Sequence, residues 1–379
     1  MNQTRSPRRR VALLFGGRSG EHSISCLTAA SVLEAIDRER FEPVPVGIAR
    51  DGRWTLAPDD PSALKPAGGK LPEVRGAGPE VLAPARAGSA EWRLAGADGR
   101  LTPLGRIDVV FPLLHGPFGE DGTVQGLLEL TDQPYVGAGV LASAAGMDKG
   151  YMKCLLRAEG LPVQPYVQIA PGAWAADRQA VTAAALALGL PLFVKPCRAG
   201  SSLGITKVAA GPGAAARLEA AVERAGRHDP RVLVEKAANG REIECAVLGS
   251  TGHGPPRTAL PSEIVVRGGH DFYDFEAKYL EAAAADLRCP ADLPDAVTGA
   301  IRRLAAQAFA AIGAEGLARV DFFYDAEAPE PLVINEINTM PGFTPISQYP
   351  RMWQASGLSY TDLLSELIDL ALARPVGLR

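Results

Sequence analysis

The sequence predicts a fold of the α/β and α+β kind, and three observations carry that prediction. Residues 11–15 are an unbroken apolar run, residues 16–22 a glycine-containing loop, and Ala29, Val32, Leu33 and Ile36 then recur at helical spacing. From about residue 147 to 235, short apolar strands alternate with amphipathic helices. The stretch A-R-V-D-F-F-Y-D, an acidic turn and P-L-V-I-N-E-I-N, residues 318–338, reads as a hairpin with polar residues at strand spacing. At 379 residues the chain has room for two or three domains of about 100–200 residues each.

Composition excludes several classes. A hydrophobic content of 47% with 22% charged residues fits a soluble globular protein. The net charge of −4 argues against nucleic-acid binding, which needs clustered Lys and Arg. Five cysteines, far apart and without a C-x-x-C pair, indicate neither a disulfide framework nor a thiolate zinc site, and a reducing cytoplasmic setting is expected. The start, MNQTRSPRRR, is basic, but the apolar run after it is too short for a signal peptide or a membrane span. Residues 1–10 are expected to be a disordered basic tail.

In the first domain, residues 11–140, the loop after the first strand exposes N–H groups in the way anion-binding α/β loops do. Its G-G-x-x-G is not the dinucleotide fingerprint, which disfavours an NAD-dependent dehydrogenase. Residues 41–48 form a second strand, and Pro43 and Pro45 predict that it is an edge or irregular one. Residues 51–105 are rich in Gly, Ala and Pro, with Trp54 and Trp92 pointing to small strands. Residues 108–114 are a buried strand that runs into H-G-P-F-G-E-D-G, and Asp121 is placed to cap a helix at 123–130. His115 and the Glu21–His22 pair thus sit at carboxyl ends of strands, where open α/β sheets place active groups.

A central lobe, residues 141–239, opens with a helix from Met147-Asp148-Lys149 carrying Met152, Leu155 and Leu156 on one stripe. Strands at 164–169, 192–195, 204–208 and 231–235 and helices at about 180–188 and 214–225 follow. The last lobe, residues 240–379, holds a strand at 242–248, a polar loop at 267–279, a helix at 295–312, the hairpin, and a helix at about 360–373.

The chemistry-bearing residues fall on this frame. In the hairpin, Arg319 and Asp321 share one face of the first strand; Glu336 and Asn338 share a face of the second, with Ile334 in phase with them. Asp321, Glu336 and Asn338 are hard oxygen ligands that suit Mg²⁺ or Mn²⁺ and leave positions open for phosphate oxygens, although a solvated acidic strand edge has the same pattern. Lys195 precedes P-C-R-A-G-S-S-L-G, a small-residue loop whose amides can approach phosphate, or a flexible turn. Glu235-Lys236 ends a strand that either presents its backbone to an adenine edge or is merely solvated. Residues 268–279 have the polar and aromatic character of a water-excluding lid, with Lys278 in reach of a phosphoryl group, or of an ordinary surface loop. After the hairpin, Gly342 offers an N–H to an oxyanion and Ser347 a hydroxyl to a carboxylate, unless the segment is a plain Pro-Gly turn.

GGRSGEHSIS, HGPFGEDGTVQG, MDK, KPCRAGSSLG, VEKAANGREIE, YDFEAKY, ARVDFF and NEINTMPGFTPIS occur in this order over residues 16–347. Together they resemble the D-alanine–D-alanine ligase family of the ATP-grasp superfamily. The resemblance implies an ATP-grasp fold of three domains, with an N-terminal parallel-sheet α/β domain and two α+β lobes enclosing the nucleotide. It implies ATP-dependent joining of two D-alanines through an acyl phosphate, with two Mg²⁺ or Mn²⁺ ions on Asp321, Glu336 and Asn338. Lys149, Lys195 and Ser202 would hold ATP phosphates, Glu235, Lys236 and Ala238 the adenine, Glu242 the ribose, and Lys278 the γ-phosphate. Arg319 and the Gly342 amide would stabilise the oxyanion. Glu21, with His115 nearby, would bind the first ammonium group, and Ser347 the second carboxylate. Glu21, Ser201 and Tyr279 would tie the lid to the other domains. Tyr279 favours an amine nucleophile, since D-lactate-using relatives carry histidine there. Gln348 stands where the family pattern has Met or Leu, which keeps D-serine or D-lactate open as second substrate. A non-catalytic nucleotide-binding module would have lost at least one of Asp321, Glu336, Arg319 or Lys278, and all are present. The family implies a homodimer with no membrane or nucleic-acid partner.

Overall fold

β1 (Arg9–Gly16) carries an apolar run at 11–15 that is wholly buried, as a strand covered on both faces requires. In this computed structural model, residues 7–200, 202–250, 254–266 and 285–375 are described. β1 takes in Arg9 and Arg10, which the sequence reading assigns to the tail. Arg10 is anchored on all sides. Its backbone N–H donates to Asp108 Oδ2 (2.8 Å), and its guanidinium donates to Glu42 Oε1 (3.1 Å) and to the carbonyls of Leu104 and Arg106 (both 3.0 Å). A cation with its donors matched in this way belongs to the sheet whatever its hydropathy.

α1 (His22–Ala35) covers β1, and β2 (Phe41–Ile48) pairs with β1 in parallel over its full length. β3 (Trp54–Leu56) joins β2 antiparallel at residues 46–48. β2 is therefore an interior strand in unbroken register with β1, and not the edge or irregular strand its prolines predict. Pro43 and Pro45 are tolerated because their missing N–H groups face the β3 side, where pairing starts only at Val46. The Pro45 carbonyl still accepts there from the Ala57 N–H (3.0 Å).

β4 (Glu80–Leu82), β5 (Glu91–Ala95) and β6 (Leu101–Arg106) continue an antiparallel extension, so residues 51–105 do contain small strands. The extension closes on Trp92, which is fully buried, lies 6.1 Å from Trp54 between ring centroids, and donates Nε1–H to Gln133 Oε1 (3.1 Å). β7 (Val109–Pro112) flanks β1 on the other side in parallel, giving the order β6-β5-β4-β3-β2-β1-β7. The parallel part is thus β2-β1-β7. α2 (Thr123–Leu130) and α3 (Val140–Met147) follow, with Asp121 Oδ1 accepting from the Thr123 N–H (3.0 Å).

α4 (Lys149–Ala158) starts on Asp148, whose Oδ1 accepts from the N–H groups of Gly150 (3.0 Å) and Tyr151 (3.2 Å). A second sheet follows, built from β8 (Tyr166–Ile169), β9 (Leu192–Pro196), β10 (Thr206–Val208) and β11 (Val232–Lys236). It is antiparallel throughout in the order β10-β9-β11-β8, and carries α5 (Ala173–Ala176), α6 (Arg178–Leu186) and α7 (Ala214–Gly226).

The third sheet contains β12 (Arg241–Leu248), β13 (Arg257–Thr258), β14 (Ser262–Val266), β15 (Ala285–Arg288), β16 (Leu317–Tyr324) and β17 (Leu332–Asn338). Its order is β15-β14-β12-β16-β17, with β13 beside β12. α8 (Asp295–Ala311) precedes β16; α9 (Gln348–Ala355) and α10 (Tyr360–Ala373) end the described fold.

Packing unites the first and third sheets. β1, β7 and α1 share one core with α9 and α10, centred on Phe111, Phe343, Tyr349 and Leu363. α4 sends Met152 and Leu156 into the core of the third sheet, against Ile301, Phe322 and Ile337. The second sheet keeps a core of its own around Val194, Leu218, Val222 and Val234. Trp92→Ala is expected to destabilise the protein by about 3–5 kcal/mol, the usual cost of emptying an aromatic site. Denaturant titration should show a lower midpoint; an unchanged midpoint would mean that the β4–β6 extension unfolds apart from the rest.

Candidate active site

Arg319 and Asp321 face Asn338 and Glu336 across the β16–β17 pair. The register shifts there: Asp321 pairs with Glu336 but Phe322 pairs with Ile334, which leaves Asn335 as the extra residue of a bulge. Ile334 is therefore out of phase with Glu336, contrary to strict alternation. It is fully buried, as Ile337 nearly is, whereas Glu336 and Asn338 stay half-buried.

Arg319 donates to Asp321 through Nε (2.7 Å) and Nη2 (2.6 Å), and its Nε lies 3.0 Å from Glu244 Oε1 on β12. Burial disfavours the charged guanidinium, but Asp321 and Glu244 outweigh it and push its pKa well above the ordinary value. Asn338 Nδ2 donates to Asp321 Oδ2 (3.0 Å). With its amide turned over, Asn338 would present an oxygen instead. Two carboxylates and an amide oxygen are donors that fit Mg²⁺ or Mn²⁺. Among the described residues no three His, Cys, Asp or Glu side chains cluster as a metal site, so phosphate or water oxygens must complete any shell here.

The cations come from α4 and β9. Lys149, first residue of α4, donates to the Ala199 carbonyl (2.9 Å) and lies 3.7 Å from Glu336 Oε2. Lys195 on β9 is paired with Glu235 on the neighbouring β11. The other Glu235 oxygen is 3.0 Å from Lys153 Nζ. Glu235 is almost fully buried. Burial alone would raise its pKa, yet the two ammonium groups pull it down to about 2. Its carboxylate is thus engaged with lysines, and what this strand end can offer a base edge is its backbone.

At the other end, two glycine loops are tied together. Ser19 Oγ donates to the His115 carbonyl (2.7 Å) and accepts from the Glu21 N–H (3.2 Å). A Cβ at Gly116, which has φ +73, would stand 2.8 Å from Glu21 Oε2, and one at Gly200 3.3 Å from the same oxygen. Glycine at both places lets the carboxylate sit between the first sheet's loop and the loop after β9. His115 is buried, with Nε2 3.2 Å from Thr28 Oγ1 and Nδ1 3.2 Å from the Met340 carbonyl and 3.4 Å from Glu120 Oε1. Burial disfavours its charged form, but Glu120 prevails and raises its pKa.

Ser347 precedes α9, and its Oγ accepts from the Thr344 N–H (3.1 Å). A Cβ at Gly342 would come within 3.1 Å of that oxygen. The first turn of α9 adds helix N–H groups, an environment suited to a carboxylate. Gln348 is 7% exposed; its Oε1 accepts from Arg351 Nη1 (3.1 Å), while its buried Nε2 has no partner.

One cavity of about 880 Å³ brings these groups together. It is lined by Glu21, His115, Lys149, Lys195, Ser202, Glu235, Lys236, Ala238, Glu242, Arg319, Asp321, Glu336, Asn338, Gly342 and Ser347. Ser201, Lys278, Tyr279 and the loop at 267–279 lie outside the described residues. Sequence reading missed the counter-charges Glu120, Lys153 and Glu244. Two of them left a signal: Lys153 follows Lys149 by four on one helix side, and Glu244 shares a strand face with Glu242.

The sequence matches the family description D-ala D-ala ligase N-terminus over residues 10–138 and D-ala D-ala ligase C-terminus over residues 155–369. It is 57% identical to the D-alanine–D-alanine ligase of Kineococcus radiotolerans over 98% of this chain and 99% of that one. Identity to the D-alanine–D-alanine ligase of Streptomyces coelicolor is 50%, over 98% and 95% of the two chains. Among solved structures, the D-alanine–D-alanine ligase from Coxiella burnetii aligns with a TM-score of 0.79 at 34% identity, over 97% of this chain and 94% of that one. The VanG D-Ala:D-Ser ligase from Enterococcus faecalis also gives 0.79 at 34% identity, over 96% and 100%. With both halves matched and more than half of its residues shared with a full-length relative, this ATP-grasp chain belongs to the D-alanine–D-alanine ligase family.

Proposed function

We infer that the protein joins two D-alanines at the expense of ATP. The observation that carries this reading is the cavity on which lysines, an acidic hairpin and the polar groups Glu21 and Ser347 converge. A carboxylate is a poor electrophile, so the first D-alanine must be activated. Its carboxylate oxygen takes the γ-phosphoryl group, ADP leaves, and an acyl phosphate results. The free amine of the second D-alanine then attacks the carbonyl carbon, and the tetrahedral intermediate releases one proton from nitrogen and expels phosphate to leave the new amide.

Each step needs a kind of group that the cavity holds. Lys149, Lys195 and the Ser202 loop supply charge and donors to the ATP phosphates; the backbone around Glu235, Lys236 and Ala238 serves adenine, and Glu242 the ribose. Asp321, Glu336 and Asn338 would hold two Mg²⁺ or Mn²⁺ ions, which when bound neutralise phosphate charge. Arg319 and the Gly342 N–H stabilise the oxyanion. Glu21, with His115 nearby, takes the first ammonium group, and Ser347 with the start of α9 the second carboxylate. Roles for Ser201, Lys278 and Tyr279 rest on the family resemblance alone. In this assignment residues 11–140 bind amino acids, and 141–239 and 240–379 clasp the nucleotide.

D-serine is the second reading for the acceptor, favoured by the unpartnered Gln348 Nε2 on a residue lining the cavity beside Ser347. Among the described residues no helix is long and apolar enough to cross a membrane. We place the reaction in the cytoplasm, where peptidoglycan precursors are assembled. A homodimer is proposed too, supported by Leu127, Leu130, Val140 and Leu141, which are exposed on α2 and at the start of α3.

Phosphate release with Mg²⁺-ATP is expected with D-alanine and at most weakly with L-alanine, D-lactate or no amino acid. Equal release in all four would remove the substrate assignment. D-serine paired with D-alanine separates the two acceptor readings by product mass. Asp321→Asn should lower kcat by about 10³-fold, as loss of charge stabilisation at a transferring phosphoryl group does, while ATP binding stays measurable by calorimetry. A near-normal rate would overturn the metal assignment.

A further inference from the structure

Lys153 stands behind the cavity wall and touches two of the strands that build it. Its side chain, 1% exposed, leaves α4 and places Nζ 3.0 Å from Glu235 Oε2 on β11. The same Nζ donates to the Asn335 carbonyl in the β17 bulge (3.0 Å). Glu235 in turn holds Lys195. One buried carboxylate is thus shared by two buried cations.

The sharing matters for nucleotide binding. If Lys195 were the sole partner of Glu235, turning its ammonium toward a phosphate would strip a buried carboxylate of its counter-charge. Breaking a buried pair in that way is strongly unfavourable. With a second cation behind it, Glu235 stays paired whichever way Lys195 points.

We propose that Lys153 is a positioning residue for phosphate binding: it holds Glu235 from behind, so that Lys195 is released to the ATP phosphates. Its bond to the Asn335 carbonyl also fixes the bulge that turns Glu336 and Asn338 toward the cavity. The proposal rests on the assignment of Lys195 to those phosphates.

The test compares Lys153→Met, Glu235→Gln, the double variant and Lys195→Met in the full-length protein. ATP affinity is read by calorimetry without D-alanine, KM for ATP and D-alanine by phosphate release, and folding by thermal melts. Lys153→Met is expected to weaken ATP binding about tenfold or more by trapping Lys195 on Glu235, and to leave the D-alanine KM within about twofold. Adding Glu235→Gln removes the trap and should recover most of the lost ATP affinity. A merely structural lysine would shift both KM values together and leave the double variant worse than either single one; that result overturns the proposal. Should Lys153→Met fail to fold, Lys153→Gln, which keeps a donor for the Asn335 carbonyl, carries the same comparison. If Lys195→Met weakens ATP binding and the Lys153 variants do not, this proposal alone fails. If Lys195→Met has no effect, the reading of Lys195 fails with it.

Discussion

The bulge at Asn335 is the constraint on which the site depends. A strand has a side-chain period of two, so residues 334, 336 and 338 of a regular β17 would share one face. Either an isoleucine would then enter the polar cavity, or Glu336 and Asn338 would enter the core. One extra residue resolves the conflict: Ile334 and Ile337 both bury against the third sheet, and Glu336 returns to the side of Asp321. The ladder bonds lost at a bulge have to be replaced. The outer edge of β17 finds partners in α4 and the stretch after it, where the Ile334 N–H donates to the Pro162 carbonyl (2.8 Å) and the Ile337 N–H meets Met152 Sδ (3.2 Å). Lys153 takes the Asn335 carbonyl itself.

Charge is buried around this strand in small groups of mixed sign. Arg319 lies between Asp321 and Glu244, and Glu235 lies between Lys153 and Lys195. One group is two anions about a cation, the other two cations about an anion. A charge taken out of water must be paired, and a pair fully satisfied by itself has little left for a ligand. The odd member of each trio offers a way round this. One trio is net negative and the other net positive, so each has reason to take up the opposite charge, a metal ion and a phosphate in the proposed assignment.

The polar residues inside β16 and β17 were legible from strand spacing, and other cavity residues because they lie at or just past strand ends, where an apolar run stops at a charged or glycine residue. Lys195, Glu235 and His115 all follow that rule. What was not legible depended on contacts distant in sequence. Arg10 reads as tail until Asp108 and Glu42 are beside it. Pro43 and Pro45 read as an edge until the short reach of β3 is known. α3 has small apolar residues and no polar face, so it leaves no amphipathic period. α9 was hidden by Pro350, which sits in the first helical turn, where a missing N–H costs nothing. Glu120 and Glu244 are ordinary acids in the sequence and become counter-charges only when folding brings His115 and Arg319 to them.

The two ends of the cavity are positioned by different forces. The loops bearing Glu21 and His115 belong to the first sheet, and Gly342 and Ser347 follow the third. These sheets share one apolar core in which Phe111 meets Phe343 at 6.0 Å between ring centroids. A reacting carbonyl and an attacking amine must be held within about 3–3.5 Å of each other, and close packing supplies that accuracy. The second sheet has a separate core and meets the rest through polar links, such as Arg231 to Asp148 (2.9 Å) and Lys149 to the Ala199 carbonyl (2.9 Å). A charged triphosphate tolerates a less rigid grip, since Coulomb attraction falls off slowly with distance. In the proposed assignment, packing would therefore align the bond that forms, and electrostatics would hold the group that drives its formation.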